Sequence, residues 1–198
     1  MALPRAIQAL IEELQKLPSV GPKTAERYAF YLLRQPAEQL QKFAQAIAEL
    51  KENITICQNC LAIAEKNPCH ICADEKRDKT TICVVADTRD MIALESTKQY
   101  SGQYHILGGL INTIENIKPE NLNIEKLIDR TKNKSVKEII LALSPNMEGE
   151  TTSLYLTKIL KNTNLKISRL AKGLPTGSDL EYADEMTLIN ALKYRNEL

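Results

Sequence analysis

The chain has 198 residues, 26% of them charged and 43% hydrophobic, with a formal net charge of +1 at pH 7. That length accommodates one large domain or two to three small ones, the balance is that of a globular protein, and no apolar run approaches the roughly 20 residues that span a bilayer. A near-zero charge excludes a global field drawing the chain onto nucleic acid, so any such binding rests on local contacts; with no Trp and two Phe, a base-stacking platform is disfavoured as well. Met1-Ala2-Leu3-Pro4-Arg5 starts no secretory h-region, so a cytoplasmic, reducing location is expected.

Residues 1–53 read as helical. Ile7, Leu10, Ile11, Leu14 and Leu17 follow the i, i+3, i+4, i+7 spacing of an amphipathic helix, and Pro18-Ser19-Val20-Gly21-Pro22 breaks it. A second helix from about Pro22 is expected to bury Ala25, Tyr28, Ala29, Leu32 and Leu33, and Pro36 stops it. A third runs through Leu40, Phe43, Ala44, Ile47 and Leu50. Leu14 to Ala25, with Leu17-Pro18-Ser19-Val20-Gly21-Pro22-Lys23-Thr24 at its centre, resembles a helix-hairpin-helix, which holds DNA by its backbone. The turn bares the first N–H groups of the second helix, where a phosphate sits favourably. Gly21, Lys23, Thr24 and Arg27 are the candidate DNA-binding residues; Lys23 and Arg27, spaced i, i+4, share a face. Nothing here can read base edges, so binding is expected to ignore sequence. The hairpin pattern has Gly-hydrophobic-Gly, whereas this chain has Ser19-Val20-Gly21; at positive φ, Ser19 costs on the order of 1 kcal/mol relative to Gly. Lys23-Thr24 also matches the end of a P-loop, but Pro22 stands where that loop needs Gly, which excludes nucleotide binding there. Residues 1–34 carry five bases (Arg5, Lys16, Lys23, Arg27, Arg34) against three acids (Glu12, Glu13, Glu26), so one hairpin binds weakly and useful affinity calls for several copies on one DNA.

Cys57, Cys60, Cys69 and Cys72 stand as C-x2-C-x8-C-x2-C, two knuckles whose four thiolates suit one tetrahedral Zn²⁺. A closed four-sulfur site builds structure and performs no chemistry. In a reduced compartment, disulfides are not expected. A module of roughly 25 residues at 54–79 cannot bury enough apolar surface alone, so the metal is expected to supply its folding energy and to make it a rigid joint between the hairpin and the α/β region. His70, between the cysteines, is read as a bystander.

From residue 80 the pattern alternates. Strands are expected at Thr81–Ala86, Tyr104–Leu107, Glu138–Leu143 and Leu165–Leu170, and helices from Asp87, at Leu122–Arg130, Gly149–Lys161 and Asp184–Arg195. Asp87 with Asp90 resembles a capping box. Strands separated by helices imply a mostly parallel sheet, so the fold class is α+β and multi-modular, with an α/β domain at 80–172 and a C-terminal tail at 173–198. His105 and Cys83 are read as structural, inside strands.

Ser144-Pro145-Asn146-Met147-Glu148-Gly149-Glu150, after an apolar strand, resembles the D-P-D-R-E-G-E segment of Toprim domains. In catalytic Toprim domains an earlier strand ends in Glu and this one in D-x-D, and those carboxylates hold Mg²⁺. Here Ser144 and Asn146 occupy the D-x-D positions and Ala86 the Glu position, with Asp87 one residue late and Asp90 a helical turn further. These four residues (Asp87, Asp90, Ser144 and Asn146) form a vestigial site without the charge Mg²⁺ needs, and no Tyr stands in a context that marks a strand-cleaving nucleophile. Glu148 and Glu150 are read either as favourable charges at a helix N-terminus or as an acidic patch for a basic partner protein.

Hairpin, cysteine quartet, Toprim segment and tail, in this order, resemble the RecR family of bacterial recombination proteins over essentially the whole chain. Tyr104-His105-Ile106-Leu107-Gly108-Gly109, Glu148-Gly149-Glu150-Thr151-Thr152 and Gly173-Leu174-Pro175 carry the resemblance alongside the hairpin and the cysteines. It implies a non-catalytic DNA clamp, a dimer or tetramer assembled through the terminal regions, that acts with RecO, and often RecF, to load RecA on gapped single-stranded DNA. Family members carry a Walker B-like element near Gly177-Ser178-Asp179-Leu180-Glu181; without a Walker A partner it implies no ATPase here. The alternatives are a Mg²⁺-dependent nuclease or topoisomerase-like enzyme, which the missing D-x-D opposes, and a zinc-ribbon adaptor for RNA or protein.

Overall fold

Proline punctuates the N-terminal helices. In the computed structural model, which describes residues 3–133, 135–161 and 163–195, α1 (Arg5–Gln15) follows Pro4, α2 (Pro22–Leu33) begins on Pro22 and α3 (Ala37–Ala48) follows Pro36. Proline presets a helical φ, and its missing N–H is one that a first turn leaves unused anyway. α1 packs against α2, where Ala25 and Ala29 are fully covered. Tyr28 and Leu33, expected in that core, are 40% and 60% exposed, because the small alanines line the contact and the large side chains flank it. Much of the apolar stripe of α3 is exposed: Phe43 and Ile47 face outward, as does Leu50 in the adjoining 3-10 turn. These helices form one compact unit, Met1–Asn53, and the rest of the chain, Ile54–Leu198, forms a second.

The second unit opens with a two-stranded antiparallel ribbon, β1 (Thr55–Ile56) and β2 (Ile63–Ala64), and the single turn α4 (His70–Ala73). Next come β3 (Asp78–Val85), α5 (Thr88–Ser96), β4 (Gly102–Ile106), α6 (Ile124–Thr131), β5 (Glu138–Leu141), α7 (Met147–Leu160), β6 (Lys166–Arg169) and α8 (Glu185–Lys193). The four long strands make one sheet in the order β4-β3-β5-β6, parallel throughout. The expected strands and helices all appear, displaced by a few residues at their ends.

The period-2 alternation of β3 sends its side chains into two cores. Ile82 and Val84 join Ile139, Leu141, Leu127 and Leu156 under α6 and α7. Cys83 and Val85 join Tyr104, Ile106 and Met91, and this second core also takes in Cys57, Cys60, Cys69 and Ile71. The cysteine module thus covers one face of the sheet beside α5, sharing the sheet's core instead of building its own.

The free edge of β4 is closed by three contacts. Arg77 Nη1 donates to Gly102 O at 3.0 Å, Arg130 Nη1 donates to Tyr104 O at 2.5 Å, and Ile106 N donates to Cys60 O at 2.8 Å. An edge strand with open N–H and C=O groups is a template for unwanted pairing, and here two arginines and a cysteine knuckle occupy it.

Candidate nucleic-acid interface and metal centre

Ser19 adopts φ 64°, the left-handed conformation that the hairpin pattern assigns to Gly, so the turn is kept at some backbone strain. Gly21 precedes α2 with φ −80° and ψ 172°, which any residue can adopt, and a Cβ built there meets nothing within 4 Å. The fold itself therefore does not demand glycine at 21; the open space lies where an external group would approach the helix end. Pro22 has no N–H, no side chain caps α2, and the N–H groups of Lys23 and Thr24 have no partner among the described residues. Lys23 and Arg27 are exposed and Thr24 half-buried. Neither cation enters an ion pair among the described residues, Arg27 resting 5.6 Å from the Tyr28 ring centre, whereas Lys16 is held by Glu13 at 2.6 Å. Bare N–H groups and two free cations on one helix end match an anion.

The Sγ atoms of Cys57, Cys60, Cys69 and Cys72 all lie within 4.8 Å of one another, and the first three residues are buried. Cys60 and Cys69 sulfurs are 3.6 Å apart, close to the ~3.8 Å that a tetrahedral Zn²⁺ with 2.3 Å bonds imposes. All four cysteines are free. The amides of Cys69 and Cys72 donate to Cys57 Sγ and Cys69 Sγ, both at 3.4 Å, bonds that favour the thiolate form of these sulfurs. A hydrogen bond from Cys72 draws the Cys60 thiol down to about 5. Burial, with the Cys60 charge, pushes Cys69 up to about 11, and its hydrogen bond to Cys60, with burial, pushes Cys72 above the ordinary range. The four clustered sulfurs at these separations are a donor set that fits a metal ion. His70 lies outside this cluster.

At the carboxyl ends of β3 and β5, the four residues that the sequence reading groups as a vestigial Toprim site are engaged in holding helices or carry no charge. Asp87 caps α5, accepting from Arg89 N at 2.7 Å and Asp90 N at 3.1 Å, while Asp90 accepts from Asp87 N at 3.4 Å, the capping box the sequence predicts. Arg89 also donates to Asp87 through Nε and Nη2 and holds its carboxylate below the usual range. Asn146 caps α7 by accepting from Gly149 N at 2.9 Å, and Ser144 is exposed. Gly149 is required sterically, since a Cβ there would collide with Ser144 O.

Buried Thr152 fixes this turn, donating to Glu148 O at 2.7 Å and accepting from Ile111 N at 2.9 Å. Glu148 and Glu150 are half-buried in the first turn of α7. Glu150 is engaged by Lys172 and by Arg169, the latter at 3.2 Å, and Lys172 foremost keeps its carboxylate below the ordinary range. These two cations gave no signal in the sequence, since nothing periodic links positions so far apart.

His105 is fully buried with Nε2 2.9 Å from Asn123 O, and burial lowers it to about 4, so it is neutral and structural. Cys83 is likewise buried, its thiol pushed up to about 12.

Three family models match the chain: "RecR, helix-hairpin-helix" over 7–51, "Toprim domain" over 80–171 and "RecR, C-terminal" over 173–196. Among curated proteins, the chain is similar to "Recombination protein RecR" of Bifidobacterium adolescentis, at 50% identity over 98% of each chain. It is 51% identical to that of Gloeothece citriformis, over 96% of this chain and 94% of the relative, and 46% identical to that of Staphylococcus haemolyticus over the full length of both. With family models matched at the hairpin, the Toprim sheet and the tail, and relatives about half identical over nearly its whole length, the chain belongs to the RecR family of recombination proteins.

Proposed function

We propose that the chain is a non-catalytic, sequence-independent DNA-binding scaffold of recombinational repair. It works in the cytoplasm with RecO, and with RecF, to help load RecA on gapped or single-stranded DNA. The observation that carries this reading is the N-terminus of α2, where the Lys23 and Thr24 amides, Lys23 and Arg27 stand free around the open space at Gly21. Contacts of this kind grip phosphate and leave bases unread.

A non-catalytic role is supported by Ser144, Asn146 and Ala86 at the three positions where a Toprim enzyme places carboxylates. Asp87 and Asp90 are committed to the capping box of α5, which leaves little for Mg²⁺. One structural Zn²⁺ per chain is assigned to Cys57, Cys60, Cys69 and Cys72, on the fit of the quartet to a four-sulfur tetrahedron. Assembly into a dimer or tetramer is supported by the uncovered stripe of Phe43, Ile47 and Leu50 and by exposed Leu180, Tyr182, Met186 and Leu192 in the tail. Glu148 and Glu150 are the proposed docking charges for a basic partner, Glu148 foremost, since Glu150 is shared with Lys172 and Arg169.

Light scattering of the full chain with and without gapped DNA tests this. An oligomer that binds DNA of any sequence, with affinity falling steeply as salt rises, is expected. A monomer that binds tightly, or Mg²⁺-dependent cleavage of the DNA, contradicts it.

A further inference from the structure

We propose that Arg130 is the counter-cation of the four-cysteine metal centre, a positioning residue that lets four thiolates gather on the edge of the sheet. Arg130 lies in α6, more than fifty residues along the chain from the quartet, yet both meet the same free edge of β4. Its Nη1 donates to Tyr104 O, and Cys60 O accepts from Ile106 N two residues further on, about 6.6 Å along the strand.

Two features single it out. Arg130 is half-buried, and no carboxylate pairs with it among the described residues; its acceptors are Tyr104 O and Gln103 Oε1, the latter at 3.1 Å, and its ring neighbour His105 is neutral. A guanidinium withdrawn from water without a counter-charge is destabilising. The quartet supplies the missing charge: four thiolates around a divalent ion carry a net −2. Consistently, burial pushes the guanidinium's pKa down while Cys72, Cys60 and Cys57 pull it up. The other arginine on this edge, Arg77, is already paired with Glu95 and has no charge to spare.

The inference rests on the metal reading above, and the test separates the two. In Gln103→Glu the new carboxylate sits on the Arg130 guanidinium with the same shape and the same hydrogen bond, and takes over its charge. Zn²⁺ retention by full-length protein is measured against a chromophoric chelator, with the absorption of Co²⁺-loaded protein reporting the four-sulfur environment and circular dichroism the fold. Q103E and R130Q are expected to lose Zn²⁺ at chelator concentrations roughly tenfold lower than wild type, the usual scale for outer-shell changes, with R130K retaining more than R130Q. Should R130Q not fold, Q103E alone decides. Retention by Q103E equal to wild type overturns the role of Arg130, whereas a wild-type protein that takes up neither Zn²⁺ nor Co²⁺ overturns the metal reading itself.

Discussion

The amide of Ile106 donates to the carbonyl of Cys60 at 2.8 Å, so the first cysteine knuckle is bonded to the outer edge of β4. Any metal held by the quartet therefore protects a sheet edge as well as a loop.

Removing that metal is expected to release the knuckle and open β4 to pairing with other chains. A chelator, or Cys60→Ser, should lower the thermal midpoint by on the order of 10 °C, the shift that roughly 3–5 kcal/mol produces in a chain of this size. It should also produce aggregates visible by light scattering. A melt unchanged by metal removal would show that the edge is held without it.

Ser19 at φ 64° makes the hairpin turn a site of easy stabilisation. Ser19→Gly is expected to add about 1 kcal/mol, read by urea denaturation, with DNA affinity unchanged within twofold. A loss of stability would mean that the Ser19 side chain contributes more than its backbone strain removes.

Asn146 serves as the cap of α7, at a position where the Toprim resemblance leads one to expect a carboxylate. Asn146→Ala should cost about 1 kcal/mol through the lost bond to Gly149 N, and Asn146→Asp should keep the cap at no such loss. Denaturation curves of the two variants distinguish them.

Acid stability has two expected phases. His105 titrates in the folded protein near 4, below its usual 6.5, so the unfolded chain binds the extra proton first as pH falls. Stability from this group is full above about 6.5 and is lost down to about 4, by up to roughly 3 kcal/mol. Glu150, held below the ordinary carboxylate range by Lys172 and then Arg169, contributes above that range and loses its share as pH falls further. His105→Gln should therefore flatten the upper phase of a stability–pH curve and leave the lower one.

Much of the fold is legible in the chain itself. The three prolines at the starts of the N-terminal helices, the apolar runs of β3 and β5, and the Asp87–Asp90 cap are local signals with local causes. The cysteine quartet and the hairpin are legible because their chemistry depends on short spacings. The features that escape a reading of the chain depend on contacts across long separations. That alternate residues of β3 feed different cores, one of them completed by Cys57 and Cys60, cannot be read from an unbroken apolar run. Arg130, Arg169 and Lys172 look like ordinary solvated cations until the sheet brings them to Tyr104 and Glu150. Tyr28 and Leu33 fit the helical stripe but fall beside the contact that Ala25 and Ala29 occupy.

On the proposed reading, the α2 N-terminus grips DNA through phosphate alone. This is tested most directly by fluorescence anisotropy of the Lys23→Ala/Arg27→Ala double variant on gapped DNA at low salt, beside wild type. Near-complete loss of binding is expected, with an unchanged circular dichroism spectrum and unchanged metal content. Wild-type affinity in the double variant would contradict it.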